Sequence, residues 1–129
     1  MRFLLDTHVF LWYLSGAKAL KPRTRDRLRD PLHQVYVSPV SLWAALVKHH
    51  LGKLSLPDEP GAYLSRQRAR HGLVSLPLDE ASILYLPRLP DLHRDPFDRL
   101  LICQALRHDL TLVTVDSQIQ AYPVETLVP

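Results

Sequence analysis

Short apolar runs alternate with helical patterns along the whole chain, and two of those runs end in an aspartate. Arg2-Phe3-Leu4-Leu5 is closed by Asp6, and Leu112-Val113-Thr114-Val115 by Asp116. Runs of four or five apolar residues separated by helical segments argue for a parallel sheet covered on both faces. The pattern predicts strands over residues 2–6, 35–38, 73–76 and 111–115, with an edge strand over 124–128. It predicts helices over 8–15 (stopped near Gly16), 22–30 (Pro22 near its start), 40–51 (closed by Gly52), 60–71 (basic, ending at Gly72), 79–86 (begun by Asp79) and 96–108. In such sheets ligands bind outside the carboxyl ends of the strands. Asp6 and Asp116 stand at two such ends.

Nothing in the chain interrupts this alternation. There is no repeat, low-complexity tract or linker, and 129 residues suffice for one domain with a real core, so residues 1–129 are expected to form a single unit. No apolar stretch reaches the 18 residues of a membrane span. The N-terminus begins directly with a strand pattern and lacks the features of a signal peptide. The lone Cys103 excludes an internal disulfide and suits a reducing cytoplasm; its spacing with Ile102 and Leu106 marks it as a small buried hydrophobe. The net charge of +3 permits an anionic partner such as RNA, without requiring one.

Three aspartates lie where a metal-dependent nuclease of this class would place them: Asp6, Asp116 and Asp98, the last within His93-Arg94-Asp95-Pro96-Phe97-Asp98-Arg99 just before a helix. Carboxylates converging at strand ends can hold Mg²⁺ or Mn²⁺, which prefer oxygen ligands. Each acid also has a plainer explanation. Asp95 suits an N-cap, Pro96 the first helical position and Asp98 the third, while Asp6 and Asp116 can start a helix or a turn. Thr114 can orient a carboxylate, or can simply be a β-branched strand residue. Ser41, Ala44 and Lys48 share one helical stripe, with Leu42, Trp43, Leu46 and Val47 expected to cover the rest of that helix. Zinc is disfavoured, because the adjacent His49 and His50 point to different sides and no paired spacing exists. His93 reads as structural or substrate-adjacent and not as a ligand. Glycine-loop phosphate sites and Gly-x-Ser-x-Gly elbows are absent. The arginines of 23–29 and 66–70 read as solvated helix faces with some capacity to touch nucleic acid. A phosphotransferase of another α/β type is disfavoured because position 8 is His, where such enzymes place a second aspartate.

Taken together and in order, Phe3-Leu4-Leu5-Asp6-Thr7-His8, Val37-Ser38-Pro39-Val40-Ser41-Leu42-Trp43, Lys48-His49-His50-Leu51-Gly52-Lys53-Leu54, the 93–99 run and Leu112-Val113-Thr114-Val115-Asp116 resemble PIN-domain proteins, and most of all the VapC-type toxins of bacterial toxin–antitoxin pairs. The resemblance runs from end to end, and the 93–99 run is its most specific part. It implies a PIN-like α/β/α sandwich with a central, mainly parallel sheet. It implies an endoribonuclease dependent on Mg²⁺ or Mn²⁺, an antitoxin protein that covers the active site, RNA as substrate and a homodimer. By position, Asp6, Asp98 and Asp116 match the family's metal-binding acids, Asp95 an additional acid, and Thr114 the hydroxyl before the last acid. The family's remaining glutamate follows the tryptophan matched by Trp43; here that place holds Ala44. An alanine there implies weakened or silenced cleavage. The alternative is a catalytically inactive PIN-fold module that binds RNA or an antitoxin.

Overall fold

A computed structural model describes residues 1–129. Its five strands are β1 (Arg2–Leu5), β2 (Gln34–Val37), β3 (Val74–Ser75), β4 (Thr111–Val113) and β5 (Thr126–Leu127). All neighbouring pairs are parallel, in the order β3-β2-β1-β4-β5. The chain therefore steps outward from β1 through β2 to β3, then returns to the other side of β1 for β4 and β5. The strand order reverses between β1 and β4, where Phe3, Leu4 and Leu5 pair with Thr111, Leu112 and Val113. A reversal of this kind opens a crevice at the carboxyl ends of the two strands, and Asp6 and Asp116 follow those ends.

The period-two alternation of the strands divides the interior in two. Phe3, Leu5, Val35, Val37 and Val113 point to one face and join Val9, Phe10, Tyr13, Leu28 and Leu64. Leu4 and Leu112 point to the other and join Leu101, Ile102, Cys103, Ala105, Ile119 and Tyr122. The helices that cover the sheet are α1 (Thr7–Ser15), α2 (Pro22–Arg29), α3 (Pro39–His50), α4 (Pro60–Arg70), α5 (Glu80–Ile83), α6 (Pro96–His108) and α7 (Ser117–Gln120). Each fully buried Leu, Ile or Phe contributes roughly 2 kcal/mol by leaving water. Cys103 is one of these core residues, and burial pushes its thiol up to about 11. No helix is long and apolar enough to cross a membrane.

Local chemistry sets the helix ends. Ser38 caps α3 by accepting from the Val40 N–H at 3.0 Å, with Pro39 in the first turn. Gly16 closes α1 at φ 70°, a left-handed geometry that a side chain would strain.

Three expectations are revised. The helix expected over 79–86 divides into α5 and a 3₁₀ turn at Leu86–Arg88, because Pro87 has no N–H to continue an α-helical ladder. Residues 117–120 form a short helix instead of a plain turn. On α3, Trp43 and Leu46 lie on the exposed side, and the inward side carries Val40, Ser41, Ala44 and Ala45. The small residues face inward because α3 is enclosed by α1, α4 and α6, and close helix approach leaves no room for large side chains.

Candidate metal centre

Asp6, Asp95 and Asp116 are all N-caps, and two of them do something else at the same time. Asp6 Oδ1 accepts from the Val9 N–H at 2.8 Å, starting α1, while Oδ2 accepts from the Thr114 hydroxyl. Asp116 Oδ1 accepts from the Gln118 N–H at 2.8 Å, starting α7, while Oδ2 lies 2.9 Å from His93 Nε2. In each carboxylate one oxygen anchors a helix and the other meets a second side chain, Thr114 or His93. Asp95 uses a single oxygen for its cap, accepting from Phe97 N at 2.8 Å and Asp98 N at 3.3 Å.

Asp98, in the first turn of α6, is not spent on capping. Its Oδ2 lies 3.0 Å from His93 Nε2, the same nitrogen that meets Asp116. Ligand atoms of His93, Asp98 and Asp116 all fall within 4.8 Å of one another. Asp6, expected as a third ligand, stands one step away: its Oδ2 is tied to Thr114, whose Oγ1 also accepts from the Asp116 N–H at 3.0 Å. The five residues Asp6, Thr114, Asp116, His93 and Asp98 thus form one connected set, with His93 joining the last acid to the rest.

The electrostatics match this crowding. Burial, followed by the neighbouring Asp95 charge, pushes the Asp98 carboxyl up to about 7; His93 opposes the shift, and Asp6 and Asp116 add to it. Asp6 is also raised, first by burial and slightly by Asp116, against the hydrogen bonds from Thr114 and Val9 and the charge of His8. Closely spaced carboxylates favour protonation or a bound cation. The oxygen-rich set fits a hard divalent ion.

Ala44 is buried and lines a cleft of about 200 Å³ together with Thr7, Lys48, Asp95 and Asp98. Its stripe partner Ser41 is fully buried and accepts from the Thr7 hydroxyl at 3.2 Å. Lys48, on the same stripe, holds its Nζ 3.0 Å from His8 Nε2 at the rim of this cleft.

Sequence reasoning missed the support behind the site. Tyr122 Oη accepts from the backbone N–H groups of Leu92 (3.2 Å) and His93 (2.9 Å) and from Arg99 Nη1 (3.0 Å), fixing the loop that delivers His93. Gln104, fully buried on α6, donates to the carbonyls of Leu76 (3.0 Å) and Pro77 (3.3 Å). A glutamine amid the apolar run of α6 was the one sequence signal for this tie. Tyr122, far from the 93–99 run in sequence, gave none.

Comparison with known proteins agrees with the fold. The chain has the fold of VapBC2 from Rickettsia felis, described as bound to a DNA fragment from its promoter, at a TM-score of 0.75, 16% identity and 98% coverage of both chains. DNA-bound VapBC from Salmonella typhimurium follows at a TM-score of 0.72, 16% identity and coverage of 98% and 97%. VapBC-5 from Mycobacterium tuberculosis, a toxin–antitoxin family member, matches at 0.60, 19% identity and coverage of 99% and 98%. No curated protein sequence matches. The family model for the PIN domain, however, matches residues 3–125. With that match spanning nearly the whole chain, the protein belongs to the PIN-domain family.

Proposed function

We propose that residues 1–129 act as one unit, the toxin of a toxin–antitoxin pair, and that its activity is metal-dependent endonucleolytic cleavage of RNA. The observation that carries this reading is the convergence of Asp98 and Asp116, linked through Thr114 to Asp6, at the point where the strand order reverses. Asp98 and Asp116 would hold Mg²⁺ or Mn²⁺ through the oxygens that now face His93, with Asp6 Oδ2 oriented beside them by Thr114. Such an ion, when bound, neutralises phosphate charge and supplies an activated water. Lys48, Lys53 and His8 line the cleft beside Asp98 and offer cationic or hydrogen-bonding contacts to a phosphate backbone. RNA as substrate and a cytoplasmic location belong to the same reading.

The proposed protein partner is an antitoxin. A groove of about 380 Å³, lined by Leu11, Trp12, Leu14, Leu54 and Leu56, shares His8, Lys48 and Lys53 with the acidic cleft. An apolar segment ending in a basic side chain suits that combination. A homodimer is proposed as well, with the exposed Trp43, Leu46 and Leu51 of the α3 region as apolar surface available for burial.

Ala44 favours a second reading, an inactive PIN-fold module that only binds RNA or antitoxin. The two separate on a single-stranded RNA incubated with Mn²⁺. Cleavage that disappears with EDTA and with Asp116→Asn supports the nuclease. Binding without cleavage at any Mn²⁺ concentration supports the module.

A further inference from the structure

We propose that His93 competes with the divalent cation for Asp98 and Asp116, and that its ring must leave these carboxylates for the metal to bind. The inference rests on the metal-dependent reading above and names the chain's own competitor for that site. His93 Nδ1 accepts the backbone N–H of Asp95 at 3.2 Å. A backbone amide can only donate, so Nδ1 carries no proton, and the proton of the neutral ring sits on Nε2. That nitrogen donates to Asp116 Oδ2 at 2.9 Å and lies 3.0 Å from Asp98 Oδ2, so the ring stands against both carboxylates. A nitrogen that bears this proton has no lone pair to give a metal. For Nε2 to become a ligand with Nδ1 still accepting from Asp95, the neutral ring would have to lose its one N–H proton and become an imidazolate. A ligating histidine ordinarily donates from its other nitrogen, and here that nitrogen faces a donor. His93 therefore acts as a clamp on the two carboxylates and not as a third ligand.

The surroundings suit a side chain that swings while its backbone stays. The N–H of His93 and that of Leu92 are both held by Tyr122 Oη, so the loop is pinned independently of the ring. Release of the ring frees two carboxylate oxygens together, each already oriented: Asp116 by its cap on α7, and Asp98 by its place in the first turn of α6.

The test is the sign of one change. At pH 8, titration calorimetry with Mn²⁺ is run on the wild type, His93→Ala, His93→Gln and Asp116→Asn. A clamp predicts that His93→Ala binds Mn²⁺ tighter by about tenfold, because a hydrogen bond to charged groups no longer has to be broken first. His93→Gln, which keeps an N–H donor, should fall between alanine and wild type. Weaker or unchanged Mn²⁺ binding in His93→Ala, with the wild type binding normally, overturns the clamp and leaves the metal-dependent reading standing. No Mn²⁺ binding by any form overturns both. Should the alanine variant not fold, ¹⁵N NMR of the wild-type ring decides. The clamp requires Nε2 protonated before and after saturation with Mg²⁺, in a changed environment after it; Nε2 losing its proton on Mg²⁺ addition identifies a ligand and overturns the inference.

Discussion

The hydroxyl of Thr114, leaving the end of β4, donates to Oδ2 of Asp6, leaving the end of β1. Thr114 Oγ1 in turn accepts the Asp116 N–H at 3.0 Å, and Thr114 is fully buried. One side chain thus fixes both acidic ends of the central strand pair. Thr114→Val keeps the shape and removes the hydroxyl, stranding a buried carboxylate oxygen and a backbone N–H. We expect a loss of about 1–3 kcal/mol in urea unfolding at pH 7, and Thr114→Ser should recover most of it. Equal stability of the valine and wild-type proteins would mean that the bond has no structural weight.

Asp98 makes stability depend on pH in a defined direction. In the fold its carboxyl keeps its proton up to about pH 7, whereas the unfolded chain releases it near the ordinary 3.8. Between those values unfolding releases a proton, so the metal-free protein should lose stability as pH rises from about 4 through 7. The cost at pH 8 is on the order of a few kcal/mol. Asp98→Asn should remove it, raising the metal-free Tm at pH 8 and leaving Tm at pH 4 nearly unchanged. The same variant should lose most of the Tm rise that Mn²⁺ gives the wild type by binding the native state. Thermal melts at the two pH values, with and without Mn²⁺, check both parts.

Ala44→Glu places a carboxylate in the cleft that Ala44 shares with Asp98. In metal-free protein the added charge should lower Tm, since it meets Asp95 and Asp98 at close quarters. With Mn²⁺ the order should reverse. Cleavage of single-stranded RNA should rise by on the order of 10²-fold, the usual scale for a positioned catalytic group. Unchanged cleavage and an unchanged Mn²⁺ response would make position 44 an ordinary helix site.

Tyr122→Phe probes the support behind the centre. It removes the acceptor for two backbone N–H groups and the Arg99 guanidinium while leaving the ring in the core. We expect a loss of about 1–3 kcal/mol in stability and faster amide exchange at Leu92 and His93. Protection at those two amides equal to wild type would remove Tyr122 from the account.

The alternation of apolar runs with helical patterns sufficed for the parallel sheet, because strand pairing in a two-sided sheet follows from buried runs joined by helices. It also placed Asp6 and Asp116 at strand ends that the topology brings side by side. Position 44 facing the acids was legible from helical spacing with Ser41. The burial of that stripe was not: Trp43 and Leu46 look like core residues in sequence, and only the packing of α3 between neighbouring helices turns them outward. His93 between Asp98 and Asp116 was out of reach for a related reason. Its placement depends on Tyr122, 29 residues away, and long-range contacts of that kind leave no local pattern.

The double duty of the carboxylates bears on how such a site can decay. Replacing Asp6 or Asp116 by alanine deletes a helix cap along with a charge, so an inactivating change there carries a folding penalty of about 1 kcal/mol or more. Asparagine or serine would preserve the cap. Position 44 has no such post: it lies inside α3, where alanine is the best helix former. Among these three, it is the position whose side chain can change without the loss of a cap, and it holds alanine.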